Sequence, residues 1–300
     1  MTADARAALF GGLIDYAGLF PPADLDLGEA LVTYDGHLHG PDSALLGRFV
    51  APAARLEELR PWLAGTWRPG RPLRLAVVTA LGNVGAVADF AASAPAARIE
   101  ALDLSLPRDV SPAVWLDGVL AVVAQARLGG VEIHVELSPG RDRDLLAALG
   151  GRQGRPGVGR LGAKLRCGGV ASDQVPPVER VAAVVAAARD AAVPLKFTAG
   201  LHHPLRGMGA TGHAPMHGFL NVYGAALLAH DHGLEAADLT NVVADTEPAS
   251  FRVDRDGFAW RDRFVAADRV AALRSGLIGG YGSCSFAEPL ADLRSLAILT

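Results

Sequence analysis

Eight short apolar runs recur along this chain, and between most of them lie longer segments rich in alanine, leucine and arginine. Strands that alternate with helices pair in parallel, because a parallel neighbour is reached only through a crossover, and the crossover is usually a helix. The runs fall at 12–19 (GLIDYAGL), 46–53 (LGRFVAPA), 73–80 (LRLAVVTA), 98–106 (RIEALDLSL), 131–138 (VEIHVELS), 161–167 (LGAKLRC), 194–200 (PLKFTAG) and 277–286 (LIGGYGSCSF). Amphipathic segments at 112–128, 141–149 and 176–191 read as connecting helices, the last opened by VPPVER, where proline suits a first helical turn. Eight such units predict an α/β fold of the (β/α)8 TIM-barrel type.

The spacing is regular except between the seventh and eighth runs, where 201–276 must hold far more than one helix. This long insertion carries the loop LHHPLRGMGATGHAPMHG, helix candidates at 218–232 and 235–244, and a hairpin pattern FRVDRDGFAW turning at Asp256-Gly257. Loops that follow barrel strands build the active face, so the insertion is expected to line or cover the site. Gly207, Gly209 and Gly212 permit 201–217 to move as a lid that brings His202 and Arg206 over the mouth. With neither a fixed-period repeat nor a linker-like stretch, residues 1–300 read as one domain with the insertion inside it.

At 300 residues and 50% hydrophobic content, such a barrel has enough apolar material for its core. A net charge of −4 with no Lys/Arg-rich run disfavours nucleic acid or an anionic membrane surface as partner. A small molecule is the expected partner, and assembly into a homo-oligomer is left open. The two cysteines, Cys167 and Cys284, form no CxxC, and MTADARAALFGG has no secretory pattern, so a reducing cytoplasm is the expected location. No run of about 18 apolar residues is present to span a membrane.

Strand alternation then separates the two faces. In VEIHVELS the apolar set Val131, Ile133, Val135 and Leu137 faces the helices, so Glu132, His134, Glu136 and Ser138 point into the barrel, with Glu136 and His134 the candidates for the mouth. In RIEALDLSL the leucines go outward and Ala101, Asp103 and Ser105 inward; Lys164 and Arg166 share the inner face of GAKLRC, and Lys196 and Thr198 that of PLKFTAG. Four adjacent strands thus offer Asp103, Glu136, Lys164 with Arg166, and Lys196 to one interior. A buried ion-pair network that fixes register is the structural alternative, but its desolvation costs several kcal/mol. Ionisable groups at the carboxyl ends of barrel strands more often serve a reaction. Two lysines side by side have a specific use. A neutral amine attacks a carbonyl, and a second ammonium nearby lowers its pKa by like-charge repulsion.

These motifs, taken in order, resemble the deoxyribose-phosphate aldolase family of class I aldolases. LIDYAGLFPPADLDLGEAL is similar to that family's opening, FVAPAARLEEL and VVTALGN to its second and third strand ends, HVELSPGRDRDLL to its fifth strand, GAKLRCGG to its sixth and PLKFTAG to its seventh. YGSCSF is placed like its phosphate loop after the last strand. The resemblance implies a (β/α)8 barrel, Lys164 as Schiff-base nucleophile, Lys196 as the cation that lowers its pKa, and Asp103 as the strand-4 acid. The chain departs from the pattern in three places: Leu-Arg-Cys follows Lys164, the 201–276 insertion is foreign to the family, and Phe286 stands where a glycine would help cradle phosphate.

Around this core, Ser283 and Ser285 offer hydroxyls to an anion, Arg166 offers a guanidinium fork suited to a carboxylate, and Asp15 is either a polar group of the active face or a loop cap. The expected activity is an aldolase-like lyase acting on an oxo-acid or sugar phosphate without a cofactor. One rival is a metal-assisted hydrolase, isomerase or lyase in which His202 and His203 join Glu136 or Asp103 in a mixed N/O site. His213 and His217 have a ligand-like spacing, but Pro215 between them opposes a helix. The other rival is a non-catalytic barrel that binds a small acid or a protein. Both cysteines are expected to be buried and unreactive.

Overall fold

The structure, a computed structural model, describes residues 4–65, 67, 71–155, 159–169, 171–207 and 215–299. Its strands are β1 (Ile14–Tyr16), β2 (Leu46–Pro52), β3 (Leu73–Thr79), β4 (Ala97–Ser105), β5 (Glu132–Glu136), β6 (Leu161–Arg166), β7 (Leu195–Thr198), β8 (Phe251–Val253), β9 (Gly257–Trp260), β10 (Arg263–Ala266) and β11 (Ile278–Ser283). Strands β1 to β7 and β11 close a parallel barrel in the order β1-β11-β7-β6-β5-β4-β3-β2. The helices are α1 (Ala5–Phe10), α2 (Leu27–His39), α3 (Arg60–Gly65), α4 (Val84–Ser93), α5 (Pro112–Gln125), α6 (Asp142–Gly150), α7 (Val178–Asp190), α8 (Phe219–His232), α9 (Ala236–Ala244), α10 (Ala267–Gly276) and α11 (Ala287–Ser295). With helices around it, this closed sheet is the (β/α)8 barrel that the strand count predicts.

The outward residues of the strands form the core with the helices. Leu102 and Leu104 of β4, Ile133 and Val135 of β5, Ala163 and Leu165 of β6, and Leu195 and Phe197 of β7 are all buried in one cluster. Each fully buried aliphatic or aromatic side chain of this kind contributes about 1.5–3 kcal/mol. Slipping a strand by one residue would turn the whole set into the lumen, so the alternation fixes register.

Inside the barrel the lining is divided. Val50, Ala76 and Ala101, from β2, β3 and β4, form a small apolar cluster with Ala17, Phe20 and Val78 packed against it. The other buried lining groups are the polar Asp15, Asp103, His134, Lys164 and Lys196.

Three boundaries differ from the sequence reading. The run at 12–19 pairs only over Ile14–Tyr16. The run at 277–286 ends at Ser283 and leads into α11, because the Ser285 hydroxyl accepts the Glu288 N–H at 3.2 Å and starts a helix. The hairpin turns at Asp254–Asp256, where Asp254 Oδ1 accepts the N–H groups of Asp256 and Gly257 at 2.9 and 3.1 Å, and Gly257 already belongs to β9. A third strand, β10, completes an antiparallel sheet between β7 and β11 that the sequence pattern did not announce.

Candidate active site

Ion pairs between strands that are not neighbours identify what points into the lumen. Arg48 of β2 meets Glu132 of β5 at 2.8 Å, and Lys196 of β7 meets Asp15 of β1 at 2.8 Å. Lys164 of β6 reaches Asp103 of β4 at 3.4 Å. Lys164 also lies 3.2 Å from Glu136, its register partner on β5, and it is paired in register with Lys196 on β7. Asp103 Oδ2 stands 3.6 Å from the Lys196 ammonium, so one carboxylate reaches both lysines. His134, register partner of Asp103, closes the group through Nδ1 at 3.2 Å.

The local electrostatics follow from this packing. Burial alone would raise the carboxyl of Asp103, yet Lys164 and Lys196 together hold it well below its ordinary value. Asp15 behaves alike: burial raises it, and Lys196 and Arg48 bring it below the usual value. Burial opposes the Lys196 ammonium, but Asp103 and Asp15 outweigh it and hold its pKa above that of a free lysine. The expectation that Lys196 acts as a bare cation repelling a proton from Lys164 therefore needs correction. Its charge is matched by two carboxylates, and of the two carboxylates at Lys164, Asp103 is held ionised, which leaves Glu136 placed to accept the Lys164 proton. Burial lowers His134 and favours its neutral form.

The cluster extends along the barrel axis. Glu136 and Lys164 belong to the carboxyl end, where the Glu136 side chain is 27% exposed, and Arg166, at the end of β6, is exposed with its Nε donating to Gly168 O at 3.1 Å. His134, Asp15 and Lys196 instead line a cavity at the amino-terminal end, together with Arg48, Arg74 and Glu132. His134 is thus not a mouth residue, and Asp15 is neither a loop cap nor a group of the active face. It is the internal partner of Lys196. Gly47 makes this possible, because a Cβ there would collide with Asp15 Oδ1, the same oxygen that accepts the Arg48 N–H at 2.8 Å.

The residues expected around the mouth are drawn elsewhere. His202 Nδ1 faces Glu288 at 3.1 Å and His203 Nδ1 faces Asp292 at 2.6 Å, both acids on α11, a helix the sequence reading lacked. They do not join Glu136 or Asp103. Among the described residues, no group of three or more His, Cys, Asp or Glu side chains is arranged to hold a metal. Arg206 donates its backbone N–H to Asn221 Oδ1 at 2.9 Å and lies 3.2 Å from His217 Nδ1, so it is fastened to α8 and its approach rather than turned to Lys164. His217 is buried on Pro176 O at 2.7 Å, and Gly209, Gly212 and His213 fall outside the described residues. The Ser283 hydroxyl oxygen accepts the Ser285 N–H at 3.3 Å and that of Ser285 the Glu288 N–H at 3.2 Å, so both oxygens hold the turn after β11 while their O–H groups stay available as donors. Cys167 is fully buried and pushed up to about 12; Cys284 is half-buried, 3.8 Å from His202 Nε2, and raised by burial.

Sequence reasoning missed Arg48, Arg74, Arg160 and Arg274 at the lower end of the lumen. The signal was present at Arg48 and Arg74, since a charge inside an apolar strand run must find a partner. A second signal is compositional. The chain contains only two lysines, Lys164 and Lys196, against 26 arginines, and both are buried in the barrel. In comparisons with known proteins, no family model and no curated sequence matches the chain.

Proposed function

We propose that this chain is a carbon–carbon lyase of the class I aldolase type, which acts on a small oxo-acid through an imine on Lys164. The observation that carries this reading is where the lysines stand. A guanidinium stays protonated and does not attack a carbonyl, whereas an amine does. A chain that uses arginine for every other cation keeps its two amines side by side on β6 and β7, with Asp103 within 3.6 Å of both.

In this scheme Lys164 gives its proton to Glu136 and Nζ attacks the substrate carbonyl carbon. Glu136 returns that proton and the nitrogen supplies a second, so the carbonyl oxygen leaves as water, which yields the protonated imine. A carboxylate then takes the proton of the β-hydroxyl, the bond between the α and β carbons breaks, and the imine accepts the electron pair to become an enamine. After the aldehyde leaves, the enamine carbon is protonated and water hydrolyses the imine, which restores the water lost earlier. Lys196, held as an ammonium, keeps Asp103 ionised and oriented. Arg166 at the exposed end of β6 offers a fork to the substrate carboxylate.

Borohydride reduction in the presence of a panel of oxo-acids and aldehydes tests this directly, because apart from the α-amine only two amines can be trapped. The expected result is the mass of a reduced adduct on the peptide that contains Lys164, absent in Lys164→Arg. An adduct on Lys196 would exchange the two roles. Turnover of a genuine substrate with no adduct on either lysine would end the imine mechanism, and tight binding of an oxo-acid with neither would favour a binding barrel.

A further inference from the structure

We propose that the amino-terminal mouth of the barrel binds a phosphate-sized oxyanion between Arg48, Arg74, Arg160 and Lys196, the last shared with the candidate active site. The cavity there measures about 120 Å³ and is bounded by the starts of β2, β3, β5 and β11 and by the residue before β6. It is polar and has room for several waters or one small oxyanion.

The charges that line it do not balance. Five cations face it, the four arginines 48, 74, 160 and 274 with Lys196, against the carboxylates of Asp15 and Glu132. Glu100, just outside, pairs with both Arg48 at 3.1 Å and Arg74 at 3.0 Å, and Asp103 stands 3.6 Å from Lys196, which leaves one positive charge in excess. Among the described residues Arg274 meets no carboxylate within salt-bridge distance and spends its guanidinium on the carbonyls of Leu9, Gly11, Ile278 and Gly279, while burial lowers its pKa. The Arg74 and Arg160 side chains are 47% and 24% exposed, so the excess charge is open to an anion that enters from solvent.

Unspent donors point the same way. Arg74 hydrogen-bonds Glu100 through Nε alone. Arg160 has only a 3.9 Å contact with Glu132 and a bond to Ser275 O, and each guanidinium carries five N–H groups. Among the described residues the buried Lys196 ammonium, although 2.8 Å from Asp15, meets no acceptor at the angles of a hydrogen bond. A planar carboxylate occupies one guanidinium fork, whereas the oxygens of a tetrahedral anion accept from cations that converge from several strands. Gly279 and Gly280 line the cavity without side chains that would fill it.

Titration of the full chain with inorganic phosphate at fixed ionic strength, followed by calorimetry and by melting temperature, tests the site. The expected result is one saturable site for phosphate that chloride does not reproduce, weakened about tenfold or more in the Arg74→Gln/Arg160→Gln double variant, the loss of a charge-assisted bond, and unaffected by Arg166→Gln at the other end. Equal stabilisation by chloride would overturn the proposal. So would an unchanged affinity in the double variant, or a loss in Arg166→Gln, which would place phosphate at the carboxyl-terminal mouth. Should the double variant not fold, hydrogen exchange of the unaltered chain decides: phosphate should protect amides at 12–15 and 279–281, and protection confined to 283–288 would overturn the assignment.

Discussion

Asp103 is the residue on which the interior turns, since one carboxylate oxygen serves Lys164, Lys196 and, through its mate, His134. Removing one partner of a buried pair leaves an uncompensated charge and costs about 3–5 kcal/mol. Lys196→Met is therefore expected to lower unfolding free energy by about that amount in urea titrations. By leaving Asp15 and Asp103 unopposed it should also strengthen the hold on the Lys164 proton, moving the rising limb of the activity profile to higher pH. A merely structural Lys196 would change stability and leave that limb where it was. Arg166→Lys keeps the charge but loses the fork. It should raise KM for an oxo-acid by about one to two orders of magnitude, about 1.4–3 kcal/mol, with a smaller effect on kcat. An unchanged KM would return Arg166 to the role of an exposed strand terminus.

At the scale of elements, one side chain ties together three parts of the long connection between β7 and β11. α8 is buried almost all round, and its only polar residue in the stretch from Phe219 to Ala229 apart from Tyr223 is Asn221. The Asn221 amide donates to Val242 O at 2.8 Å and Asp245 O at 2.7 Å, at the end of α9, and its Oδ1 accepts the Arg206 N–H at 2.9 Å. One residue thus joins the loop after β7, α8 and α9. Asn221→Ala strands three backbone groups, and at about 1–3 kcal/mol each for those that stay buried and unsatisfied, a loss of about 3 kcal/mol or more is expected in thermal or urea unfolding. A loss under about 1 kcal/mol would show that water replaces the amide at little cost.

For the whole molecule, the buried titratable groups define a pH window. Asp15 and Asp103 titrate below 3.8 when folded, so what they contribute is complete above that value and lost as pH falls through their lower folded values. His134 and His217 are both lowered from 6.5, His217 to about 4, so the unfolded chain takes up protons first and stability declines as pH falls below 6.5. At the alkaline end, Cys167 is raised from 9.0 to about 12 and Lys196 from 10.5, so their contributions are complete below those unfolded values and lost as pH rises. Urea midpoints measured against pH should show a plateau from about 6.5 to about 9. His217→Gln should flatten part of the first acid decline, and a decline that stayed unchanged would assign it to other groups.

The barrel itself was legible in the sequence, because a strand buried on its outer face must alternate and a parallel strand must be followed by a crossover. Leu102, Leu104, Ile133 and Val135 settle by this rule alone that Asp103, His134 and Glu136 point inward. Alternation says nothing of height along the barrel axis or of which inward group meets which. Those depend on how eight strands stagger as they close, and so the structure alone moved His134, Asp15 and Lys196 toward the amino-terminal cavity and matched Lys196 with two carboxylates. The same limit hid α11, whose Glu288 and Asp292 take up His202 and His203, since partners 86 and 89 residues apart are joined only by tertiary contact. Chain periodicity decides the face of each side chain, and the closure of the sheet decides its neighbour.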